Sequence, residues 1–360
     1  MKNNSSHSMF PEANHDEQSA QSFIKSLRVF SMQNFHQGNN ELLDNKILNK
    51  NDESFLPSRK EMREALSVEP HNQWWSSMMR NTQEMLYDTV GPSIERQLDK
   101  LIEKSEALKN KLGSLKLDRE VEIPPYLNAV DMHCKPGSYQ QEIKENDIFS
   151  GAEFDRTYRL YSMGMLGKDL DGLGRALISW LNINYASFEP KDILDMGCTV
   201  GHSTLPYCEF KNSTVHAIDV AAPCLRYGHA RAVAMNKEVH FSQQNAEKTN
   251  FSNNTFDLVV SHAMLHETSY KAIRNIFKEC HRVLKKGGLM IHVDGIHTNN
   301  PHEKYYSDWM SLYNNEPYLG TIQDENFNKI CLDAGFEKDK IKLSNQDCGL
   351  LSLAVICAEK

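Results

Sequence analysis

The sequence predicts an α/β protein, a mostly parallel sheet with helices packed on it and a helical region ahead of it. Three observations predict this. Residues 58–117 repeat apolar side chains at helical spacing. Beyond Pro190, short β-branched runs alternate with helical patterns of roughly ten to fifteen residues, the signature of βαβ units. The first of those runs, Ile193–Met196, leads directly into a glycine-bearing turn and then a helix. Ligands of such sheets bind at turns of that kind, beyond the carboxyl ends of the strands.

In chain order, residues 1–55 are rich in Asn, Ser, Gln, His and Lys without a sustained period. They are expected to be a disordered or weakly ordered arm with a short helix around Ser22–Phe30. Residues 56–150 read as a helical region and connector. Helix-like spacing covers Glu61–Leu66 and Trp74–Val90, and Gly91-Pro92-Ser93 is expected to end that helix and cap the next. Ile94, Leu98, Leu101, Ser105, Leu108, Leu112 and Leu115 then alternate four and three apart, a heptad seam broken once by serine. Such a seam suits packing on its own domain or, alternatively, a homodimer through helix 93–116. Pro124-Pro125 and Pro136-Gly137-Ser138 mark a connector.

Residues 151–360 read as the main domain, opening with an aromatic- and glycine-rich segment, 151–185, that contains a helix from about Gly172 to Leu181. The expected strands are Ile193–Met196, Val215–Ile218, Val239–Ser242, Phe256–Ser261, Leu289–Val293 and Leu350–Cys357. Helices are expected near His202–Phe210, Ala222–Asn236, Tyr270–Leu284 and Gln323–Ala334.

Composition narrows the function classes. Forty basic against 48 acidic residues give a net charge of −8, a poor match to a phosphate backbone, so no nucleic-acid partner is expected. The longest apolar stretch, Leu350–Ala358, is far short of a bilayer span, and the first 25 residues are polar, so neither membrane insertion nor secretion is expected. Eight cysteines contain no C-x-x-C pair and follow no zinc spacing. They read as reduced thiols in a cytoplasmic protein.

The chemistry concentrates at the tips of the predicted strands. Asp195-Met-Gly197-Cys198-Thr-Val-Gly201 follows the first strand, and its glycines allow close approach of backbone to a ligand. The G-x-x-x-G spacing departs from the pyrophosphate fingerprint, and an acidic residue before the first glycine suits a cationic ligand better. Asp219, 24 residues after Asp195, ends the second strand with two acceptor oxygens for the hydroxyls of a ribose. Asn245-Ala246-Glu247 ends the third strand, where an amide is suited to an adenine edge, and Phe256–Ser261-His262 forms the fourth strand and its exit.

Together with Arg282–Gly287-Gly288 ahead of a fifth strand, these ordered pieces resemble the class I S-adenosylmethionine-dependent methyltransferases, in particular a small-molecule and quinone-biosynthesis-like subgroup. The resemblance covers Lys191 to Val293 and continues toward Lys360. It implies a Rossmann-like seven-stranded, mostly parallel sheet with helices on both faces and S-adenosylmethionine as cofactor. Asp195, Gly197, Cys198 and Gly201 would surround the methionine portion, Asp219 the ribose, Asn245 and Ala246 the adenine, and Ser261 with His262 the wall beside the cofactor. Thr199 stands where many members have glycine, and Asn245 where many have aspartate. Tyr158, Tyr161 and Met163 lie in a segment that often forms a lid, and Tyr161 would help to cover the methyl group; ordinary packing is the alternative.

Methyl transfer asks the protein to align a nucleophile, exclude water and accept a proton. His262, His266 and His297 are the candidate bases on the acceptor side, with helix capping as the alternative for either member of the 262/266 pair. His262-x-x-x-His266-Glu267 and His292-x-Asp294-x-x-His297 contain ligand types for a metal, yet His292 lies within a strand, where alternation points it away from one of its neighbours, and no metal site is expected. The expected activity is O-, N- or C-methylation of a small molecule. A non-catalytic scaffold working through the heptad helix and a protein methyltransferase are the alternatives.

Overall fold

The computed structural model describes residues 7–48, 57–295, 300–347 and 352–360. In chain order the elements are α1 (His15–Lys46), α2 (Arg59–Ser67), α3 (Pro70–Glu95), α4 (Leu98–Leu108), β1 (Ser114–Lys116), α5 (Pro125–Asn128), α6 (Phe149–Tyr161) and α7 (Gly172–Asn184). There follow β2 (Asp192–Met196), β3 (Thr214–Asp219), α8 (Ala222–Ala234), β4 (His240–Gln243), β5 (Phe256–His262), α9 (Tyr270–Val283) and β6 (Leu284–Asp294). Then come α10 (Pro301–Tyr313), α11 (Leu319–Ile322), α12 (Phe327–Ala334), β7 (Ile341–Asp347) and β8 (Ser352–Glu359).

The sheet has eight strands in the order β1-β4-β3-β2-β5-β6-β8-β7. Strands β1 to β6 pair in parallel, and β8 and β7 close one edge antiparallel. The chain winds outward from β2 through β3 to β4 and returns to β5 on the other side of β2. The switch point therefore lies between β2 and β5, and a crevice opens at their carboxyl ends. Alternation along the strands feeds two cores. Ile193, Val260 and Ile291 face α7 and α8, while Leu194, Val259 and Met290 face α9 and α12. Burying both faces explains why these strands read as near-continuous apolar runs.

The eighth strand, β1, is the departure from seven. It is a three-residue edge strand inside the stretch read as a heptad helix, its Leu115 packed on the first core. β7 was also missed, because an antiparallel edge strand of sequence Ile-Lys-Leu-Ser-Asn-Gln-Asp buries too little to show a pattern. The helix expected near His202–Phe210 is reduced to a 3₁₀ turn at Leu205–Glu209. Leu350 and His297 fall outside the described residues.

The N-terminal region differs most from expectation. The arm expected to be weakly ordered carries α1, 32 residues long, started by a capping box of Asn14 and Glu17. Its apolar periodicity is faint because polar groups fix it. Arg156 on α6 donates from Nε to Gln21 Oε1 (2.9 Å) and from Nη1 to the Pro11 carbonyl (2.9 Å). Arg28, itself buried, lies 4.8 Å over the Tyr161 ring. Nor does Gly91-Pro92-Ser93 break its helix: α3 runs through to Glu95, because Leu86, Val90 and Ile94 keep one buried face at steps of four. The heptad seam is then divided between the end of α3, α4 and β1. Ile94, Leu98 and Leu101 are spent inside the chain against Cys224, Tyr227 and Ala230 of α8, which leaves no continuous 93–116 helix to dimerise. Among the described residues, no helix is long and apolar enough to cross a membrane.

Candidate active site

The turn after β2 takes the left-handed conformation three times in five residues: Gly197 (φ 70°), Thr199 (φ 49°) and Gly201 (φ 77°). A Cβ on Gly197 would stand 2.6 Å from Cγ and Sδ of Met264 and would be strained at this φ, so glycine is favoured there. Thr199, a β-branched residue at positive φ, holds a conformation that costs about 1–2 kcal/mol. The Gly197 and Cys198 amides donate to the Ile218 carbonyl at 2.8 and 3.0 Å, which ties the turn to β3.

Asp219 closes the opposite side. Its Oδ2 accepts from the Thr199 amide and its Oδ1 from the Ala221 amide, both at 2.9 Å. Burial without a cation pushes its pKa up to about 6, against the pull of those amides. Asp195 is buried, accepts from Thr204 Oγ1 at 2.5 Å and has His262 Nδ1 3.6 Å from its other oxygen. His262 Nε2 in turn meets the Tyr207 hydroxyl at 2.9 Å. Asn245 Oδ1 accepts from the Glu247 amide at 2.8 Å, so its side-chain NH₂ is the group left for a ligand. Asp195, Gly197, Cys198, Asp219, Asn245 and Ala246 all line one cavity of about 850 Å³.

Ser261 does not join them. Its side chain is fully buried on the α9 side of the sheet, where Oγ meets His292 Nδ1 at 2.6 Å. His292 stacks on Phe277 with ring centres 4.7 Å apart. Because β-strand side chains alternate, Ser261 and His262 cannot both face the crevice.

The far end of the cavity is aromatic. Phe154, Tyr158 and His202 stack on one another at 5.3–5.7 Å, and Tyr161 and Met163 continue the wall. His202 reaches this position through a buried carboxylate. Asp155 accepts from His202 Nε2 (2.8 Å), His7 Nε2 (3.0 Å) and the Tyr227 hydroxyl (2.7 Å), joining the N-terminal segment, α6, the glycine turn and α8. Burial, with Arg231 nearby, pushes the His202 pKa down to about 4. The roof comes from α1, α3 and α10, with Met79, Tyr306 and Met310 on the lining.

A polar cluster lines the same end of the cavity. His266 Nδ1 meets Asp294 Oδ1 at 2.6 Å, and Asp294 Oδ2 accepts from the Leu265 amide at 2.8 Å. Burial opposes charge on His266, but Asp294 outweighs it and raises the pKa to about 9. Glu267 Oε1 accepts from the Tyr139 hydroxyl and meets His133 Nε2, both at 2.8 Å. The other nitrogen of His133, Nδ1, lies 3.0 Å from Glu316 Oε1. Burial works against charge on His133 as well, yet Glu316 and Glu267 hold its pKa well above the ordinary histidine value. Neither His262 nor His266 caps a helix; Ser269 caps α9.

His133, Tyr139 and Glu316 are absent from the sequence reading. His133 and Tyr139 lie in the stretch read as connector and Glu316 in the main domain outside its predicted elements, and only tertiary packing assembles them. The one local sign is backbone: His133 and Cys134 both have positive φ, 54° and 59°.

Residues 193–288 match the family described as "Methyltransferase domain". A Synechocystis protein described as an uncharacterized methyltransferase is 32% identical over 111 residues, 31% of this chain and 50% of that one. An uncharacterized Haemophilus influenzae protein is 23% identical over 166 residues, 44% of this chain and 66% of that one. The chain thus spans between half and about two thirds of the length of these curated relatives. Among solved structures, a Haemonchus contortus phosphoethanolamine N-methyltransferase superposes with a TM-score of 0.44 at 15% identity, covering 57% of this chain and 58% of that one. A putative S-adenosyl-L-methionine-dependent methyltransferase of Methanococcus maripaludis gives 0.42 at 13% identity, covering 61% and 96%. The segment 193–288 thus carries the match to the methyltransferase-domain family.

Proposed function

We propose that this chain transfers a methyl group from S-adenosylmethionine to a small-molecule acceptor held between the sheet and the N-terminal helices. One observation carries the reading: a single cavity of about 850 Å³ runs from Asp195, Asp219 and Asn245 to Tyr161, His133 and His266. That volume is in the upper range for small-molecule sites and suits two ligands side by side. When bound, S-adenosylmethionine supplies a methyl group already activated by its sulfonium charge.

The residues fit that cofactor. Asp195 would receive its ammonium group, with Gly197, Cys198 and Gly201 beneath the methionine portion. Asp219, a half-buried carboxylate held by backbone amides, would accept from the ribose hydroxyls. Asn245 and the Ala246 backbone would meet the adenine. His262, fixed by Tyr207, shapes the methionine end. His266, fixed by Asp294, faces the reacting atom of the acceptor, and Tyr161, braced by Arg28, helps to exclude water there.

The roof of α1, α3 and α10 favours a small acceptor over a protein side chain, and burial of the heptad seam disfavours a scaffold working through it. Calorimetric titration with S-adenosylhomocysteine tests the reading. One-site binding is expected, and its absence in folded protein would overturn the proposal.

A further inference from the structure

We propose that His133, His266 and Glu316 form a site for a divalent transition-metal ion of zinc type at the acceptor end of the cavity. One ligand atom from each lies within 4.8 Å of the others, and all three residues line the cavity.

Two further observations point to an ion rather than to a set of side-chain pairs. Each imidazole has one nitrogen on a carboxylate that is not in the set: His266 Nδ1 on Asp294 at 2.6 Å and His133 Nε2 on Glu267 at 2.8 Å. A carboxylate behind each ring fixes the tautomer that leaves the other nitrogen free to ligate, the arrangement that supports metal-bound histidines. Tyr139 donates to Glu267 and amides donate to Asp294, so these supporting carboxylates are themselves held. Second, Glu316 Oε1 is buried, with its side chain 3% exposed. It makes no well-formed hydrogen bond although His133 Nδ1 is 3.0 Å away. A buried carboxylate oxygen and a ring nitrogen side by side, without a well-formed hydrogen bond between them, are both available to a shared ion.

Two imidazoles and one carboxylate suit zinc and its neighbours. Ligand lengths near 2.0–2.2 Å place tetrahedral ligand atoms roughly 3.4 Å apart, so the set closes by little more than an ångström on binding. The ion would take the place of ring protons. Three protein ligands leave one position open to the cavity, as in catalytic rather than structural sites.

This names the acceptor class and rests on the methyltransferase reading: an acceptor with a hydroxyl or thiol group coordinating at the open position. Coordination lowers the pKa of that group, whose proton leaves to solvent. The heteroatom then forms its bond to the methyl carbon as the carbon–sulfur bond of the sulfonium breaks, the electron pair remaining on sulfur.

The test titrates chelator-treated full-length protein with cobalt(II) and zinc(II), alongside S-adenosylhomocysteine on the same sample. One cobalt per chain is expected, with the visible bands of a low-coordinate site. In His133→Ala and Glu316→Gln the zinc affinity should fall by about 100-fold or more, and in Glu267→Gln by about 10–100-fold, with S-adenosylhomocysteine affinity unchanged. X-ray absorption on the zinc-loaded wild type, which needs no variant to fold, should show imidazole and oxygen ligands without sulfur. No stoichiometric metal binding by protein that binds S-adenosylhomocysteine, binding that survives both ligand substitutions, or a sulfur shell would each overturn the proposal. Loss of S-adenosylhomocysteine binding by the wild type would strike the methyltransferase reading instead.

Discussion

The two ends of the cavity are built by opposite means. The cofactor end comes from one stretch of chain, Asp195 to Met264, and works largely through backbone: turn amides, left-handed glycines and a carboxylate held by amides. The acceptor end gathers α1, α3, the connector, α6 and α10, and works through side chains that meet across more than a hundred residues. A ligand held by backbone near one turn leaves a local spacing in the sequence; a pocket assembled from distant side chains leaves none. The difference also separates what each end tolerates, since the cofactor end depends on conformation and the acceptor end on packing.

The largest way to break that contrast is to damage the roof. Trp309 is buried, its ring lies 4.5 Å from that of Trp75, and its Nε1 donates to Ser76 Oγ at 2.8 Å. Trp309→Ala should cost about 3–5 kcal/mol in denaturant unfolding, while the protein still folded binds S-adenosylhomocysteine as before. A parallel loss of cofactor affinity would show that the two ends are not separable.

Asp155 is the bolt between the ends. Asp155→Ala leaves His7, His202 and Tyr227 without their common acceptor and should cost about 3 kcal/mol. Because it also frees the glycine turn at His202, it should weaken cofactor binding, which Trp309→Ala should not. Equal behaviour of the two variants in calorimetry would erase the distinction.

Asp219→Ala acts on the cofactor end alone and should weaken S-adenosylhomocysteine binding by about 1.5–3 kcal/mol with little effect on folding. The same carboxylate sets a pH dependence. With a pKa near 6 in the folded chain against 3.8 ordinarily, it is mostly protonated at pH 5 and ionised at pH 7.5. Affinity should therefore rise across that window, since the carboxylate is the better acceptor for ribose hydroxyls. The raised value works the other way on the ligand-free fold: its contribution is full below about 3.8 and is lost as pH rises through about 6. A flat affinity profile that becomes no steeper with Asp219 present than absent would contradict the assignment.

The smallest effect is Thr199→Gly. Relief of the left-handed threonine, offset by the flexibility of glycine, should stabilise the fold by roughly 0.5–1 kcal/mol. It would also show how much strain the turn stores.

The same contrast explains what the sequence disclosed. Strands β2, β5 and β6 were legible because most of their residues are buried in near-continuous apolar runs, and β3 and β4 because apolar residues recur between turn signals. Asp195, Gly197 and Asp219 were legible as cavity-lining residues because each sits at the end of such a strand, whereas Gly201, buried further along the turn, is not on the lining. α1 was not, because Gln21, Arg28 and Arg156 dock it by polar and cation–π contacts that hydrophobic periodicity does not register. Ser261 was placed in the crevice by adjacency to His262, although alternation turns it into the core beside His292. His266 was found, but its neighbours His133 and Glu316 lie 133 and 50 residues away and share no pattern with it.

The most direct test is the structure of the chain with S-adenosylhomocysteine bound. In that structure the Asp219 carboxylate should meet the ribose hydroxyls and the sulfur should point along the cavity toward Tyr161 and His266. A nucleoside lodged elsewhere, or a sulfur facing a wall closed off from that aromatic chamber, would contradict it.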